Sequence, residues 1–112
     1  MKLLLNGRYI QVKEALSFKD RLYGLMGQTS INYGMLFPKC NGVHTFFMKE
    51  NIDIIGLNEK QEIIFLERDC EKNKIIKIHR QSKKTSILEL PRNASTFLEL
   101  GDKLFFEFEN II

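Results

Sequence analysis

The chain has 112 residues, of which 44% are hydrophobic and 28% charged, and its formal net charge is +3. These values are typical of globular proteins and exclude a disordered or fibrous chain, and a domain of this length buries roughly two-thirds of the surface that its unfolded chain exposes. We therefore expect one domain, residues 1–112, whose core needs no disulfide, and we predict that Cys40 and Cys70 are free thiols.

The first residues have the lysine and the leucines of a signal peptide, but this apolar run ends at Asn6. It is far shorter than the apolar region of a secretion signal, and no segment approaches the length of a membrane span. The sequence therefore predicts a cytoplasmic protein without a membrane partner.

The first predicted element is a β-hairpin. Asn6-Gly7 lies between the segments 2–5 and 8–12, and this dipeptide favours the type I′ turn that joins two antiparallel strands.

One short helix is predicted after the hairpin. Apolar residues recur there at helical spacing, at Phe18, Leu22, Leu25 and Met26. Ser17 is a suitable N-cap with Asp20 three residues later, and Gly27 is a suitable end. We expect the apolar stripe to pack on a sheet, so that Leu22→Ala costs roughly 2 to 5 kcal/mol of stability. Arg21 lies on the flank of that stripe.

The rest of the chain is rich in strand-forming residues. Strands are predicted over 34–37, 52–57, 62–67, 74–79, 85–90 and 103–109, with a helical turn at 92–98. The stretch 44–53 is predicted to be a strand that runs into a tight connection, which would put His44, Phe46 and Met48 on one face. Many short strands with one helix indicate an antiparallel β-sandwich or a jelly-roll-like barrel.

Several motifs in this order resemble those of a prokaryotic family, domain of unknown function 192 (DUF192). They are Arg21-x-x-Gly24-Leu25-Met26, Gly34-Met35-Leu36-Phe37, His44-Thr45-Phe46-Phe47-Met48-Lys49, Asp53, Leu88-Glu89-Leu90 and Gly101-Asp102. The resemblance covers residues from about 8 to 109, although this chain has Phe47 where many relatives carry Trp. It implies a compact β-sandwich of jelly-roll type with a short helix, and it implies no established activity.

Three charged residues, Arg21, Asp53 and Glu89, stand beside apolar neighbours. Alternation along half-exposed strands would turn Asp53 and Glu89 to solvent. The alternative is that both are buried, pair with Arg21 or His44, and line a pocket with His44, since an unpaired buried charge is costly. We take Arg21, His44, Met48, Asp53 and Glu89 as candidate ligand-binding residues. The same cluster could instead be a network that only specifies the fold.

The metal-ligating residue types do not form a complete site. Cys40 and His44 are half of a zinc site without a second pair. Met26, Met35 and Met48 allow a copper(I) interpretation, but methionines beside Leu and Phe are ordinary core residues. We predict no metal and no cofactor.

A basic segment, residues 72–84, contains Lys72, Lys74, Lys77, Arg80, Lys83 and Lys84 and no acidic residue. Such a segment can bind phosphate backbones, but no aromatic residue is interleaved for base stacking. We interpret it as a solvated strand edge and expect no nucleic-acid partner.

The functional hypothesis from sequence is a protein that binds a small polar or anionic ligand, or a protein partner, in a cleft beside His44. One alternative is a small enzyme in which His44 works with Asp53 and Glu89 as acid–base groups. Another is an interaction module without a pocket. No catalytic residue and no oligomeric state is indicated.

Overall fold

The computed structural model describes residues 1–79 and 84–108, without the side chain of Phe18. In these ranges the elements are β1 (Lys2–Leu5), β2 (Arg8–Glu14), α1 (Phe18–Tyr23), β3 (Gly34–Phe37), β4 (Gly42–His44), β5 (Ile52–Leu57), β6 (Ile63–Cys70), β7 (Ile75–Lys77), β8 (Ser86–Pro91) and β9 (Phe106–Glu107). The predicted class, mainly β with one short helix near the amino terminus, is confirmed.

Two sheets are formed by the described strands. The larger has seven strands in the order β6-β5-β8-β3-β2-β1-β9, and β4 pairs with β7 in a separate sheet. The predicted antiparallel arrangement is found for the other described strand pairs but not for β2 and β3, which run parallel. A parallel pair requires a crossover connection, and here that connection contains α1. The larger sheet is open, with β6 and β9 at its edges within the described chain, so the closed barrel is also wrong; the jelly-roll sandwich stays a prediction.

The hairpin and the start of the helix follow from local sequence signals. Asn6 and Gly7 both have positive φ, 46° and 78°, as a type I′ turn demands. Ser17 caps α1 by accepting a hydrogen bond of 3.0 Å from the backbone N–H of Asp20. The helix ends at Tyr23 with Gly24 as its cap, one turn before the expected Gly27. Across residues 1–79 and 84–108, no helix has the length and apolar character that crossing a bilayer requires.

The predicted packing of the helix stripe needs correction. Leu22 is 45% exposed, whereas Leu25, in the turn after the helix, is fully buried. Because α1 ends at Tyr23, the turn that follows carries Leu25 into the core and leaves Leu22 at the surface. The side chain of Phe18 lies outside the described part of the structure.

The larger sheet is apolar on both faces, because its central strands are buried on both sides. One face, which we call the helix face, packs against Leu25, Met48 and Ile76 and carries Met35, Phe37, Ile52, Ile54 and Ile87. The other, which we call the turn face, packs against Leu3, Leu104 and the turn at 93–98 and carries Ile55, Leu57, Leu88 and Leu90. Every residue of β5 is buried.

The strand predicted at the start of the stretch 44–53 does not continue beyond His44. β4 ends at His44, a turn follows in which Phe47 has φ of 60°, and β5 begins at Ile52. Thr45 is buried in this turn, where its hydroxyl donates to the carbonyl of Glu71 at 2.8 Å. The predicted tight connection therefore begins directly after His44.

Other predicted elements differ mainly at their ends. Where a single helical turn was predicted over 92–98, residues 92–97 form successive turns, with hydrogen bonds such as the one from the N–H of Leu98 to the carbonyl of Ser95. The last predicted strand, 103–109, is reduced to β9, and Glu109 lies outside the described residues.

Candidate ligand-binding cleft

A cleft of about 470 Å³ lies over the helix face of the larger sheet. One side is formed by α1 and the turn after it, another by the β4–β7 sheet, and the floor by residues of β3 and β8. Most of its lining is apolar. The lining residues are Arg21, Leu22, Tyr23, Gly24, Leu25, Met26, Phe37, Cys40, Gly42, Val43, His44, Phe46, Met48, Ile75, Ile76, Lys77 and Glu89. We call this site the helix cleft.

The helix cleft brings together four of the five candidate site residues, namely Arg21, His44, Met48 and Glu89. The fifth, Asp53, does not line it. The register of the sheet explains the difference, since Ile54 is paired with Glu89 while Asp53 is paired with Leu90. Neighbours along a strand point to opposite faces, so Asp53 and Glu89 lie on opposite faces of the sheet.

Glu89 is the most unusual group in the cleft. It is 3% exposed and its paired neighbours in the sheet are Met35 and Ile54. Among the described residues its Oε1 atom has no hydrogen-bond partner. Burial raises the pKa of Glu89 to about 8, although a backbone hydrogen bond from Leu25 acts in the opposite direction. At neutral pH Glu89 is therefore largely a neutral carboxylic acid, which can both donate and accept a hydrogen bond.

Gly24 lies directly over this carboxyl group. Its φ is +50°, and a Cβ atom at this position would stand 2.9 Å from Oε1 of Glu89 and 3.1 Å from Cζ of Phe37. A contact below 3 Å forces a displacement, so any side chain here would press on the Glu89 carboxyl group. The missing side chain leaves room for Glu89 at the end of α1.

His44 lies at the end of β4, and its ring orientation is set by the turn that follows. Its Nδ1 atom accepts a hydrogen bond of 3.2 Å from the backbone N–H of Phe46. The two rings stack, with centroids 5.2 Å apart and an interplanar angle of 24°. A neutral imidazole whose Nδ1 accepts carries its proton on Nε2. His44 therefore contributes an N–H donor to the cleft lining.

Arg21 is exposed and attaches α1 to the turn after β3. Its Nη1 donates to the carbonyl of Pro38 at 2.9 Å, and its Nη2 approaches that of Lys39 at 3.5 Å. A guanidinium has further N–H groups beyond these two bonds. Arg21 thus both positions the helix and places a positive charge at the edge of the cleft.

The sulfur-containing residues give a mixed result for the copper interpretation. Met26, Met48 and Cys40 line the cleft, whereas Met35 packs in the core of the helix face. Both cysteines are free, as predicted; burial, followed by the nearby Glu67 carboxylate, raises the pKa of the Cys70 thiol to about 11. Over the described ranges, no three His, Cys, Asp or Glu side chains gather into a metal-binding group.

Asp53 is fully buried on the turn face and is satisfied there. Its Oδ1 accepts hydrogen bonds from the backbone N–H groups of Asp69 at 2.9 Å and Asn93 at 3.4 Å. Its Oδ2 accepts from the N–H of Ser95 at 3.0 Å and from the Ser95 hydroxyl. The expectation that Arg21 or His44 would be its partner is therefore wrong, because backbone N–H groups of β6 and of the turn at 93–98, together with the Ser95 hydroxyl, fill that role. The expectation that alternation would expose Asp53 and Glu89 to solvent is wrong as well.

The comparison with protein families decides the assignment. The model of DUF192, described as "Uncharacterized ACR", matches residues 1–106. The chain belongs to the DUF192 family. The resemblance seen in the sequence motifs is thereby confirmed.

Individual relatives of this DUF192 chain add information on its fold. It is 36% identical over 64 residues to a UPF0127 protein from Thermococcus sibiricus (strain DSM 12597 / MM 739), a match that covers 52% of this chain and 42% of that protein. The match thus spans less than half the length of that relative. A solved protein of unknown function from Novosphingobium aromaticivorans DSM 12444 is similar with a TM-score of 0.76 and 14% identity, covering 94% of this chain and 82% of that one. A proposed transcription regulator from Sinorhizobium meliloti 1021 is similar with a TM-score of 0.70 and 20% identity, covering 93% and 89%. At these identities the two solved structures establish the fold alone.

Strand β7 falls within the predicted strand 74–79, but the sequence did not predict that it lines the cleft. Ile75, Ile76 and Lys77 all line the cleft. They do so because β7 pairs with β4, where Val43 is opposite Ile76 and His44 opposite Ile75. The local signal, two isoleucines inside a basic segment, identifies a strand but not its partner.

The basic segment 72–84 is partly neutralised in the fold. Lys74 lies 4.0 Å from a carboxylate oxygen of Glu71, and Lys84 lies 3.7 Å from one of Glu59. Lys77 lines the cleft, while Arg80 and Lys83 lie outside the described residues. The predicted solvated edge is thus interrupted by acidic partners from outside the segment.

Proposed function

We propose that this DUF192 chain binds a small molecule with an apolar body and an acidic group, and that the helix cleft is the binding site. The observation that carries the proposal is the cleft itself, whose volume of about 470 Å³ and mostly apolar lining with few polar groups are typical of ligand sites. The sequence predicted a small polar or anionic ligand. The apolar lining favours an anion that also carries a hydrocarbon part.

The charges around the cleft support an acidic ligand. Among the described residues that line the cleft, Arg21 on α1 and Lys77 on β7 are basic, and Glu89 alone is acidic. Because burial raises the pKa of Glu89 to about 8, the lining carries net positive charge at neutral pH. The Nε2–H group of His44 adds a donor suited to a carboxylate.

The rival functions receive less support. An enzyme that uses His44 with Asp53 and Glu89 would need all three groups at one site, and Asp53 lies on the opposite face of the sheet. A module without a pocket does not account for the cleft. The proposal includes a cytoplasmic location. It includes no nucleic-acid partner, because Lys74 and Lys84 of the basic segment already have acidic neighbours.

Calorimetric titration with octanoate, octanol and octylammonium tests the proposal. The three probes share one hydrocarbon chain and differ in head group, so the apolar lining binds each while the charge separates them. We expect octanoate to bind most tightly and octylammonium least. Absence of binding by all three probes would contradict the proposal.

Two matched lysines sharpen this test. Lys77 lines the cleft, whereas Lys74, directly before β7, is not a lining residue and pairs with Glu71. We expect Lys77→Gln to weaken octanoate binding roughly two- to fivefold, as for one exposed charge contact, and to leave octanol unchanged. Lys74→Gln should change neither. Equal losses in the two variants would mean that octanoate responds to net charge and not to the cleft.

His44→Gln examines the donor at the end of β4. Glutamine retains hydrogen-bonding capacity but cannot titrate or supply an imidazole N–H. We expect this variant to melt within a few degrees of the parent and to lose part of its octanoate affinity. A large drop in melting temperature would show that His44 serves the fold.

A further inference from the structure

The floor of the helix cleft contains a hydrogen-bonding group that the proposed acidic ligand does not use. Oε1 of Glu89 is buried and has no partner among the described residues. Its sheet neighbours Met35 and Ile54 offer no polar side chain, and the aromatic ring of Phe37 lies beside it above the strand. Buried polar atoms are almost always hydrogen-bonded, and leaving one unpaired costs free energy. Glu89 contributes to the lining of the cleft, and the unpaired oxygen of its carboxyl group is therefore a candidate partner for a ligand.

The position of Glu89 separates it from the basic edge of the cleft. The basic groups lie on α1 and β7, where Arg21 and Lys77 are exposed, whereas Glu89 rises from a central strand and is almost completely buried. A molecule whose acidic group stays near Arg21 and Lys77 would direct its other end toward the floor. Two recognition points at different depths suit a ligand with two functional groups.

The charge of the lining restricts what that second group is. The titratable side chains that share the cleft with Glu89 are Arg21, Tyr23, Cys40, His44 and Lys77. The permanent charges among them are positive, so a cationic group would be repelled on its way to the floor. A protonated carboxyl group offers one donor and one acceptor, which a hydroxyl or a primary amide can match.

We propose that the ligand of the helix cleft is bifunctional, with an acidic group held near Arg21 and Lys77 and a neutral hydroxyl or amide group that pairs with the Glu89 carboxyl group at the floor. This inference rests on the proposed function, since it assumes that the cleft takes a small molecule. It assigns to Glu89 the recognition of the buried end.

Chain-length series of paired probes test it. Hexanoate, octanoate and decanoate are each compared with the corresponding ω-hydroxy acid by calorimetry at neutral pH. In the parent protein at least one ω-hydroxy acid should bind as tightly as the corresponding plain acid or more tightly. The hydrogen bond to Glu89 replaces the hydrogen bond to water that the hydroxyl group loses on binding. In Glu89→Met, which removes the polar group at similar size, the ω-hydroxy acid should bind roughly five- to tenfold more weakly than its plain partner. Glu89→Gln, which keeps a donor and an acceptor, should retain the parent preference.

Infrared spectroscopy supplies a second readout. The carbonyl band of a protonated carboxyl group should shift to lower frequency when the ω-hydroxy acid binds, and this shift should be absent in Glu89→Gln. It needs only the parent and the glutamine variant, so the inference stays testable if Glu89→Met fails to fold.

The outcomes separate this inference from the function on which it rests. If plain alkanoates bind but every ω-hydroxy acid is disfavoured in the parent, the role of Glu89 is wrong and the cleft function stands. A preference that survives in Glu89→Met, or tighter binding of an ω-ammonium acid, would also overturn it. If no alkanoate binds at all, both proposals fail.

Discussion

Two buried carboxyl groups occupy adjacent positions of one sheet and differ in what surrounds them. Asp53 on the turn face is fully buried and accepts hydrogen bonds from Asp69, Asn93 and Ser95. Glu89 on the helix face is 3% exposed, and its Oε1 has no partner among the described residues. A carboxyl group is thus surrounded by hydrogen-bond donors on the turn face and by apolar side chains on the helix face. We therefore assign Asp53 to folding, whereas Glu89 is available for binding.

The comparison also shows why burial alone does not identify a functional group. A carboxylate accepts hydrogen bonds only, so the donors converging on Asp53 suit it and hold the end of β6 and the turn at 93–98 against β5. Glu89 faces apolar side chains that favour its neutral form. The number of donors around a buried carboxyl group therefore distinguishes structural from available groups better than its exposure does.

The largest expected effect is that of Asp53→Asn. The amide keeps the size of the side chain but turns an NH₂ group toward backbone N–H donors, and these lose their acceptor. We expect a loss of about 3 to 5 kcal/mol in the free energy of unfolding, as for other buried charged partners. Urea denaturation measures it. A loss below about 1 kcal/mol would mean that the end of β6 and the turn at 93–95 do not depend on Asp53.

Glu89→Gln should change the free energy of unfolding in the opposite direction, and the size of this change should depend on pH. The pKa of Glu89 is about 8 in the folded protein, raised by burial from the ordinary value of 4.5. Between these values the unfolded chain has released the proton and the folded chain still holds it, so rising pH favours unfolding. The parent should therefore lose about 2 to 4 kcal/mol relative to Glu89→Gln as pH rises from 4.5 to 8.

An exposed glutamate serves as the control for this profile. Glu99→Gln should follow the parent over the same pH range, because Glu99 is exposed. If Glu89→Gln and the parent have parallel stability profiles, the carboxyl group on the helix face is solvated and the contrast with Asp53 is lost.

The smallest expected effect concerns the helix beside Glu89. Leu22 is 45% exposed and lines the cleft, so Leu22→Ala should cost less than about 1 kcal/mol. Leu25→Ala, at a fully buried position, should cost about 2 to 5 kcal/mol. Urea denaturation of the two variants compares them. Similar costs would show that α1 is packed on the sheet along its length, as the apolar spacing in the sequence predicted.

Local signals predicted the parts of this fold that depend on neighbouring residues. The Asn6-Gly7 turn, the Ser17 cap and the strand Gly34–Phe37 each follow from a few adjacent residues. The end of α1 was misplaced because both Gly24 and Gly27 can end a helix, and both have positive φ here. The position of the helix end determines whether Leu22 or Leu25 packs in the core.

The rest of the site depends on pairing between strands that are distant from each other in the sequence. Asp53 stands between two isoleucines and Glu89 between two leucines, so their local patterns are equivalent. Strands buried on both faces lack the polar alternation that identifies a face, and only the register of β5 with β8 places one carboxyl group on each side. The pairing of β4 with β7 likewise places Lys77 opposite Gly42 and Ile75 opposite His44, across a distance in sequence that no local pattern spans.

The close approach of residue 24 to residue 89 has a consequence for the evolution of the family. A chain with any side chain at position 24 would need another arrangement of the carboxyl group, since a Cβ there lies 2.9 Å from Oε1. Relatives that lose this glycine should therefore either turn the glutamate carboxyl group away or carry a shorter or apolar residue at position 89. In relatives known only from sequence, the residues at positions 24 and 89 should therefore distinguish chains with a polar group at the cleft floor from chains in which side chains occupy that space.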